Sequence, residues 1–262
     1  MNPTHPQTIH RYHSGSLKTQ QDTLAEEIPV ALVYNGISHV VLMATPQNLE
    51  ELALGFSLSE GILTHPSQLY DCVIEPSCQG MSVQLEIASA RFALLKERRR
   101  SMAGRTGCGL CGIDSLAAIA PNLSSVTHQH KIQGDHITQA LRTLPQYQQL
   151  REQTGSLHGA AWVEQGNIQA AFEDVGRHNA LDKLLGYLAK KQIDTQNGFI
   201  IVSSRASYEM VAKTAAMGIG CLVAVSAATA LAVRVAEQAN VTLIGFAKPQ
   251  QFIIYSHEEF VE

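Results

Sequence analysis

Two apolar, β-rich runs fill IPVALVYNGISHVVLMAT, residues 28–45, and Asn35-Gly36 between them marks a hairpin turn. Asn48 then opens a helical pattern in which Leu49, Leu52, Ala53, Phe56 and Ile62 recur on one face, with Gly61 marking its end. Two further strands are predicted around 71–74 and 81–88. Before all of these, residues 1–24 are polar and aperiodic and read as a mobile tail. A helix is expected over 135–150, with Asp135 as its N-cap. Residues 158–163 and 168–172 form a second hairpin pattern over Gln165-Gly166-Asn167. Helix and strand then alternate: a helix over 177–191 before GFIIVS, one over 207–217 before CLVAV, and one over 229–239 before VTLIGF.

Such alternation implies a parallel-rich sheet with helices on its faces. A hairpin followed by three helix–strand units matches the order of cytidine-deaminase-like domains. The expected fold class is therefore α/β, with a C-terminal cytidine-deaminase-like three-layer α/β domain over 153–262. A smaller N-terminal α+β domain over 25–152 carries a cysteine loop at about 101–113. No internal repeat or low-complexity segment interrupts this order.

Composition narrows the function classes. The chain has 262 residues, 45% hydrophobic and 16% charged, as in ordinary globular proteins. A formal net charge of −4 argues against a general nucleic-acid binder. Five cysteines are too few, and odd in number, for a disulfide scaffold. The first twenty residues contain no apolar core of a signal peptide and no twin-arginine pair, and the apolar stretch 218–233 is too short and too rich in Ala, Ser and Thr for a membrane span. It reads as a buried strand, a turn and a helix. These features place the protein in the cytoplasm, without membrane insertion and with reduced thiols.

Three segments could carry chemistry. In RTGCGLCGID, residues 105–114, Cys108 and Cys111 sit among glycines that let a partner approach closely. Arg98, Arg99, Arg100 and Arg105 favour thiolate over thiol. The pair could hold zinc, cycle as a redox couple or carry sulfur. Zinc needs a second pair, and Cys72 and Cys78 flank Pro76 at a poor spacing, while Cys221 lies in a predicted core strand. A thioredoxin-type pair would open a helix after a strand, whereas this one follows a basic run. Sulfur carriage fits best.

The second segment, 172–183, joins a strand to a helix whose first amides can bind an anion. Arg177 offers a fork suited to phosphate; Asp174 could cap the helix or accept from a base or sugar; His178 and Asp182 fall one turn apart. A charged surface helix would look the same. In VSSRASYEM, Ser203 and Ser204 end a strand, Arg205 follows, and Ser207 begins a helix, although serine N-capping would explain the pattern too. In a cytidine-deaminase-like layout these helix starts would carry the zinc ligands. The thiols are missing there, which argues against zinc deamination. Third, Phe246, Ala247, Lys248, Pro249, Gln250 and Gln251 follow the last core strand, with Lys248 a candidate phosphate contact. The segment 154–158 is expected to face the same crevice.

Assembled, these segments resemble the FdhD-type formate dehydrogenase accessory sulfurtransferases (FdhD/NarQ). The likeness rests on Glu27-Ile28-Pro29-Val30, Val33-Tyr34-Asn35-Gly36, Ser59-Glu60-Gly61, Gly107-Cys108-Gly109-Leu110-Cys111-Gly112, Asp174-Val175-Gly176-Arg177-His178-Asn179-Ala180 and the run 203–210. It implies that a cysteine desulfurase supplies persulfide sulfur, which passes to the molybdenum cofactor, Mo-bis molybdopterin guanine dinucleotide, of the formate dehydrogenase catalytic subunit. Cys108 would be the carrier, and Cys111 would assist or shield it. The family's cofactor-contacting segment maps to 246–251, where Gln250 and Gln251 replace a commoner Gly-Arg. Gly159 stands where alanine is usual, a change expected to matter little. GDP or a similar guanine nucleotide would mimic the cofactor, with Arg177, Arg205 and Lys248 near its phosphates. A homodimer is implied, and the alternative role is a cofactor-binding chaperone without catalysis.

Overall fold

A computed structural model of the chain describes residues 1–103, 125–127 and 131–262. The first hairpin pattern becomes β3 (Ile28–Tyr34) and β4 (Ile37–Ala44), turning at Asn35 and Gly36, both with positive φ. With β5 (Leu69–Ser77) and β6 (Gly80–Ile87) they form a four-stranded sheet of order β4-β3-β6-β5, in which β3 and β6 run parallel. Helix α1 (Leu49–Ser59) covers one face through Leu49, Leu52 and Ala53, and helix α2 (Ser89–Ala103) follows β6.

Over residues 4–25 a paired ribbon replaces the expected mobile tail. Strands β1 (Thr4–His13) and β2 (Ser16–Ala25) pair antiparallel across Ser14 and Gly15. Every side chain of this ribbon is exposed or half-buried, so no hydrophobic period announces it.

The second sheet has six strands: β7 (His158–Glu164), β8 (Asn167–Asp174), β9 (Gly198–Val202), β10 (Cys221–Ala224), β11 (Thr242–Lys248) and β12 (Gln251–Ser256). Their order is β12-β11-β10-β9-β7-β8, with β9, β10 and β11 parallel and the outer pairs antiparallel. Strand β12 was not expected; it extends the sheet beyond β11.

The helix expected over 135–150 is three pieces: α3 (Gly134–Thr143), a 3₁₀ turn (Leu144–Tyr147) and α4 (Gln149–Thr154). Pro145 interrupts it, because proline lacks the amide hydrogen that the helix needs. Gln133, not Asp135, occupies the N-cap position. Side chains Ile137, Ala140, Leu141 and Leu144 pack on the six-stranded sheet against Ala161, Ile201, Val223 and Ala247. These residues therefore belong with the second sheet and not with the N-terminal unit assigned to them from sequence. Helices α5 (Arg177–Lys190), α6 (Tyr208–Ala216) and α7 (Ala230–Ala239) cover the opposite face through Leu181, Leu184, Met210 and Val235. The stretch 218–233 is turn, buried strand and helix start, as its composition suggested. Among the described residues no helix is long and apolar enough to cross a membrane.

Candidate functional site

Strand register gathers the candidate segments. His158 pairs with Asp174, Ala160 with Val202, and Val202 with Ala224, so the start of β7 and the ends of β8, β9 and β10 share one edge. The carboxyl end of β11 continues it. Carboxyl edges of parallel strands are where α/β sheets hold ligands.

On the α3 face of that edge lies a cavity of about 660 Å³, lined by Leu141, Gln148, Arg151, Val225, Ala247 and Lys248, with Pro249 at its rim. From Gln148 over β7 to Lys248 on β11 is three strand spacings, roughly 14 Å. That length suits a nucleotide. The walls are largely apolar, with the cation Lys248 toward one end and Arg151 toward the other beside the carboxylate of Glu152. A second cavity of about 320 Å³ opens at the opposite edge, where Lys131 is already paired with Glu262 at 3.1 Å.

Of the segment 246–251, the structure brings Ala247, Lys248 and Pro249 to the cavity. Phe246 is exposed, Gln250 lies in the β11–β12 turn, and Gln251 begins β12. The segment is therefore a hairpin rather than a loop after the last strand.

Asp174 is a correction. Its Oδ2 accepts from Thr45 N at 3.0 Å, Thr45 Oγ1 at 2.9 Å and Lys183 Nζ at 2.6 Å. Its Oδ1 accepts from Gly176 N at 2.9 Å and Asn179 Nδ2 at 3.0 Å. A fully buried carboxylate with five donors has nothing left for a base or sugar. Ser203 and Ser204 are likewise committed. Ser203 Oγ accepts from Gly159 N at 2.9 Å, and Ser204 Oγ donates to the Arg205 carbonyl at 3.0 Å. They tie the end of β9 in place, and both are buried.

Arg177 and His178 open α5 at this edge, on the face opposite the cavity, and Arg205 is exposed three residues past the end of β9. Arg177 Nε and Ser207 Oγ are buried without a hydrogen-bond partner, as is Gln148 Nε2 on the cavity wall. Buried polar groups seldom stay unpaired, and where they gather is a place for a ligand. His178 Nε2 lies 2.9 Å from Glu209 Oε2, a contact that becomes an ion pair only when the imidazole is protonated.

Burial lowers the pKa of His158, and Arg177 and Arg151 lower it further. Burial also lowers that of His178, against the opposing pull of Glu209. Both imidazoles favour the neutral form, so the positive charge of the edge comes from Arg151, Arg177, Arg205 and Lys248. Deeper along α5 and α6 the charges cancel one another. Lys213 meets Asp182 at 3.0 Å and Glu60 at 2.7 Å; burial pulls its ammonium down, but the two carboxylates outweigh it. Sequence reasoning missed Gln148 and Arg151, since nothing in the polar run 148–153 distinguishes a cavity wall from a surface turn.

Cys108 and Cys111 lie outside the described residues, as do Arg105 and the loop's glycines. Ser101, which the sequence placed in the loop, belongs to α2. The cysteines elsewhere are poor nucleophiles or sit away from the edge. Cys221 is buried in β10, where burial pushes its thiol up, and burial also pushes Cys72 on β5 up to about 11. Cys78 is exposed at the β5–β6 turn. Among the described residues no group of three or more His, Cys, Asp or Glu side chains could hold a metal ion.

The fold is similar to that of a solved protein from Desulfotalea psychrophila, described as a formate dehydrogenase accessory protein, with a TM-score of 0.80 and full coverage of both chains at 20% identity. In sequence the chain is 52% identical to the sulfur carrier protein FdhD of Cupriavidus necator over 259 residues, 98% of this chain and 90% of that one. It is 51% identical to the protein of the same name from Bordetella petrii, over 92% of this chain and 87% of that one. A model of the FdhD/NarQ family matches residues 25–262, and the chain belongs to that family.

Proposed function

We propose that this protein is a sulfurtransferase that accepts sulfane sulfur on Cys108 from a cysteine desulfurase and passes it to the molybdenum cofactor of formate dehydrogenase. The observation that carries the reading is the 52% identity, over 98% of the chain, to a protein named a sulfur carrier. In the loading step the Cys108 thiolate attacks the terminal sulfur of a donor persulfide. One S–S bond forms, one breaks, and the donor thiolate leaves. Cations on the neighbouring run 96–100 favour the thiolate that this step requires.

The Mo-bis molybdopterin guanine dinucleotide is the substrate that receives the sulfur. The carboxyl-edge cavity supports that reading through its length, its apolar walls and the cations Arg151 and Lys248 at its ends, with Arg177 and Arg205 over the edge. GDP is the corresponding mimic. The strand order β8-β7-β9-β10-β11 is what supports a cytidine-deaminase-like C-terminal domain, refitted with cations where a deaminase would hold zinc. A cytoplasmic homodimer that docks both the desulfurase and the formate dehydrogenase catalytic subunit completes the proposal.

Mass spectrometry after incubation with a cysteine desulfurase and cysteine tests it: Cys108 should gain sulfur. Cys108→Ala should fold normally and abolish maturation of formate dehydrogenase in cells. Full maturation with Cys108→Ala would instead favour a chaperone that binds and delivers the cofactor without carrying sulfur.

A further inference from the structure

Gln148 links the 3₁₀ turn to α4, and only 6% of its surface is exposed. Its side chain lines the cavity beside Arg151, yet its Nε2 has no hydrogen-bond partner. It rests on Gly159, in β7, where an added Cβ would overlap Nε2. Gly159 is not among the glycines with positive φ, so the backbone there does not require glycine. What the missing side chain supplies is room. That room keeps a long polar side chain folded against the cavity wall, in a position that leaves a strong donor unpaired.

Gln148 and Arg151 are three residues apart and both border the cavity, so they can address the same group. A neutral amide donor beside a guanidinium suits an oxyanion. The carboxylate of Glu173 is close enough to feel the charge of Arg151, but its hydrogen bonds go to backbone. It accepts from the backbone amides of Leu150 at 2.9 Å and Arg151 at 2.8 Å. Glu152 is the carboxylate among the cavity's lining residues.

We propose that Gln148 is a binding residue for the nucleotide, its amide sliding over Gly159 to donate to a phosphate oxygen held beside Arg151. The absence of a side chain at Gly159 is what makes that donor available. This inference rests on the reading that the nucleotide part of the substrate occupies the cavity. It also reverses the expectation that glycine in place of alanine at 159 matters little.

The test is calorimetric titration of the full chain with GDP and with inorganic pyrophosphate, with thermal unfolding to verify the fold of each variant. Gln148→Leu should weaken both ligands about tenfold, the size of one hydrogen bond to a charged group. Gln148→Glu should weaken them further, since a carboxylate repels phosphate. Gly159→Ala should cost as much as Gln148→Leu in the native chain and nothing more in a Gln148→Ala background, where no amide remains to collide with. The inference is overturned if Gln148→Glu binds as tightly as the native chain. It is equally overturned if Gly159→Ala costs the same in both backgrounds, or if only GDP and not pyrophosphate is affected. Arg151→Ala and Lys248→Ala separate the two levels. If they weaken GDP while the Gln148 and Gly159 variants do not, only this inference falls. If neither weakens it, or the native chain binds neither ligand, the nucleotide reading of the cavity falls with it.

Discussion

At Gln250 the backbone takes φ = +68°, a left-handed conformation in which a side chain crowds the following carbonyl. The reason is the turn. Lys248 pairs with Gln251, so Pro249 and Gln250 alone connect β11 to β12. Proline suits the first central position of a type II turn, and the second requires positive φ, which glycine adopts freely. The resemblance already marked 250 as a place where glycine is commoner, and the geometry supplies the cause. Gln250→Gly should raise stability by about 0.5–1 kcal/mol and Tm by roughly 1–3 °C, read by thermal unfolding. An unchanged or lowered Tm would show that the left-handed conformation at 250 holds no strain for glycine to relieve, since the bond from the backbone amide of 250 to Thr138 Oγ1, at 3.3 Å, is kept in the variant.

Among the elements, the crossing of α1 and α5 has the tightest tolerance. A Cβ on Gly55 would overlap the carbonyl of Asp182, and one on Gly186 would overlap the carbonyl of Glu51. The two helices thus meet backbone to backbone, with no side chain able to yield. Alanine is the better helix former by about 1 kcal/mol, so propensity alone would make Gly55→Ala stabilising. Overpacking reverses the sign, because the helices must separate along their whole contact. Gly55→Ala should destabilise by about 2–3 kcal/mol in urea unfolding. A gain in stability would show that the crossing relaxes cheaply. This approach was invisible in the helical pattern of 49–62, where Gly55 lies between apolar positions and looks like a defect.

For the molecule as a whole, Asp174 joins the two sheets. Thr45, just after β4, donates to it from both backbone and side chain, while Lys183 of α5 meets it at 2.6 Å and donates to Thr45 Oγ1 at 2.6 Å. Asn179 adds a bond to the Met43 carbonyl at 2.7 Å. Burial lowers the Lys183 pKa, and the Asp174 carboxylate opposes that fall. Asp174→Asn removes the charge and should cost about 3–5 kcal/mol, as when one partner of a buried pair is lost. Replacing Lys183 by methionine in the same chain should recover part of that loss. Denaturant unfolding of both variants measures it, and a cost below 1 kcal/mol for Asp174→Asn would remove Asp174 as the joint between the sheets.

The sequence by itself determined the elements whose cause is local. Asn35-Gly36 and Gln165-Gly166-Asn167 turn where turn chemistry demands. The helices starting at Leu49, Arg177, Tyr208 and Ala230 follow their apolar faces, and the family motifs lie in plain order. It also placed Lys248 at the carboxyl edge, because a cation at the end of a core strand lies there whatever the details. Tertiary structure decided what depends on partners far along the chain. Asp174 looked like a ligand contact, and Thr45, 129 residues away, made it a joint. Gly159 looked like a neutral departure, and only the fold brought Gln148 over it. The ribbon over 4–25 carries no buried stripe, so its pairing left no mark in the hydrophobic pattern. Local geometry is written in short-range sequence because sterics and capping act over a few residues; burial, room and charge compensation are set only when distant segments meet.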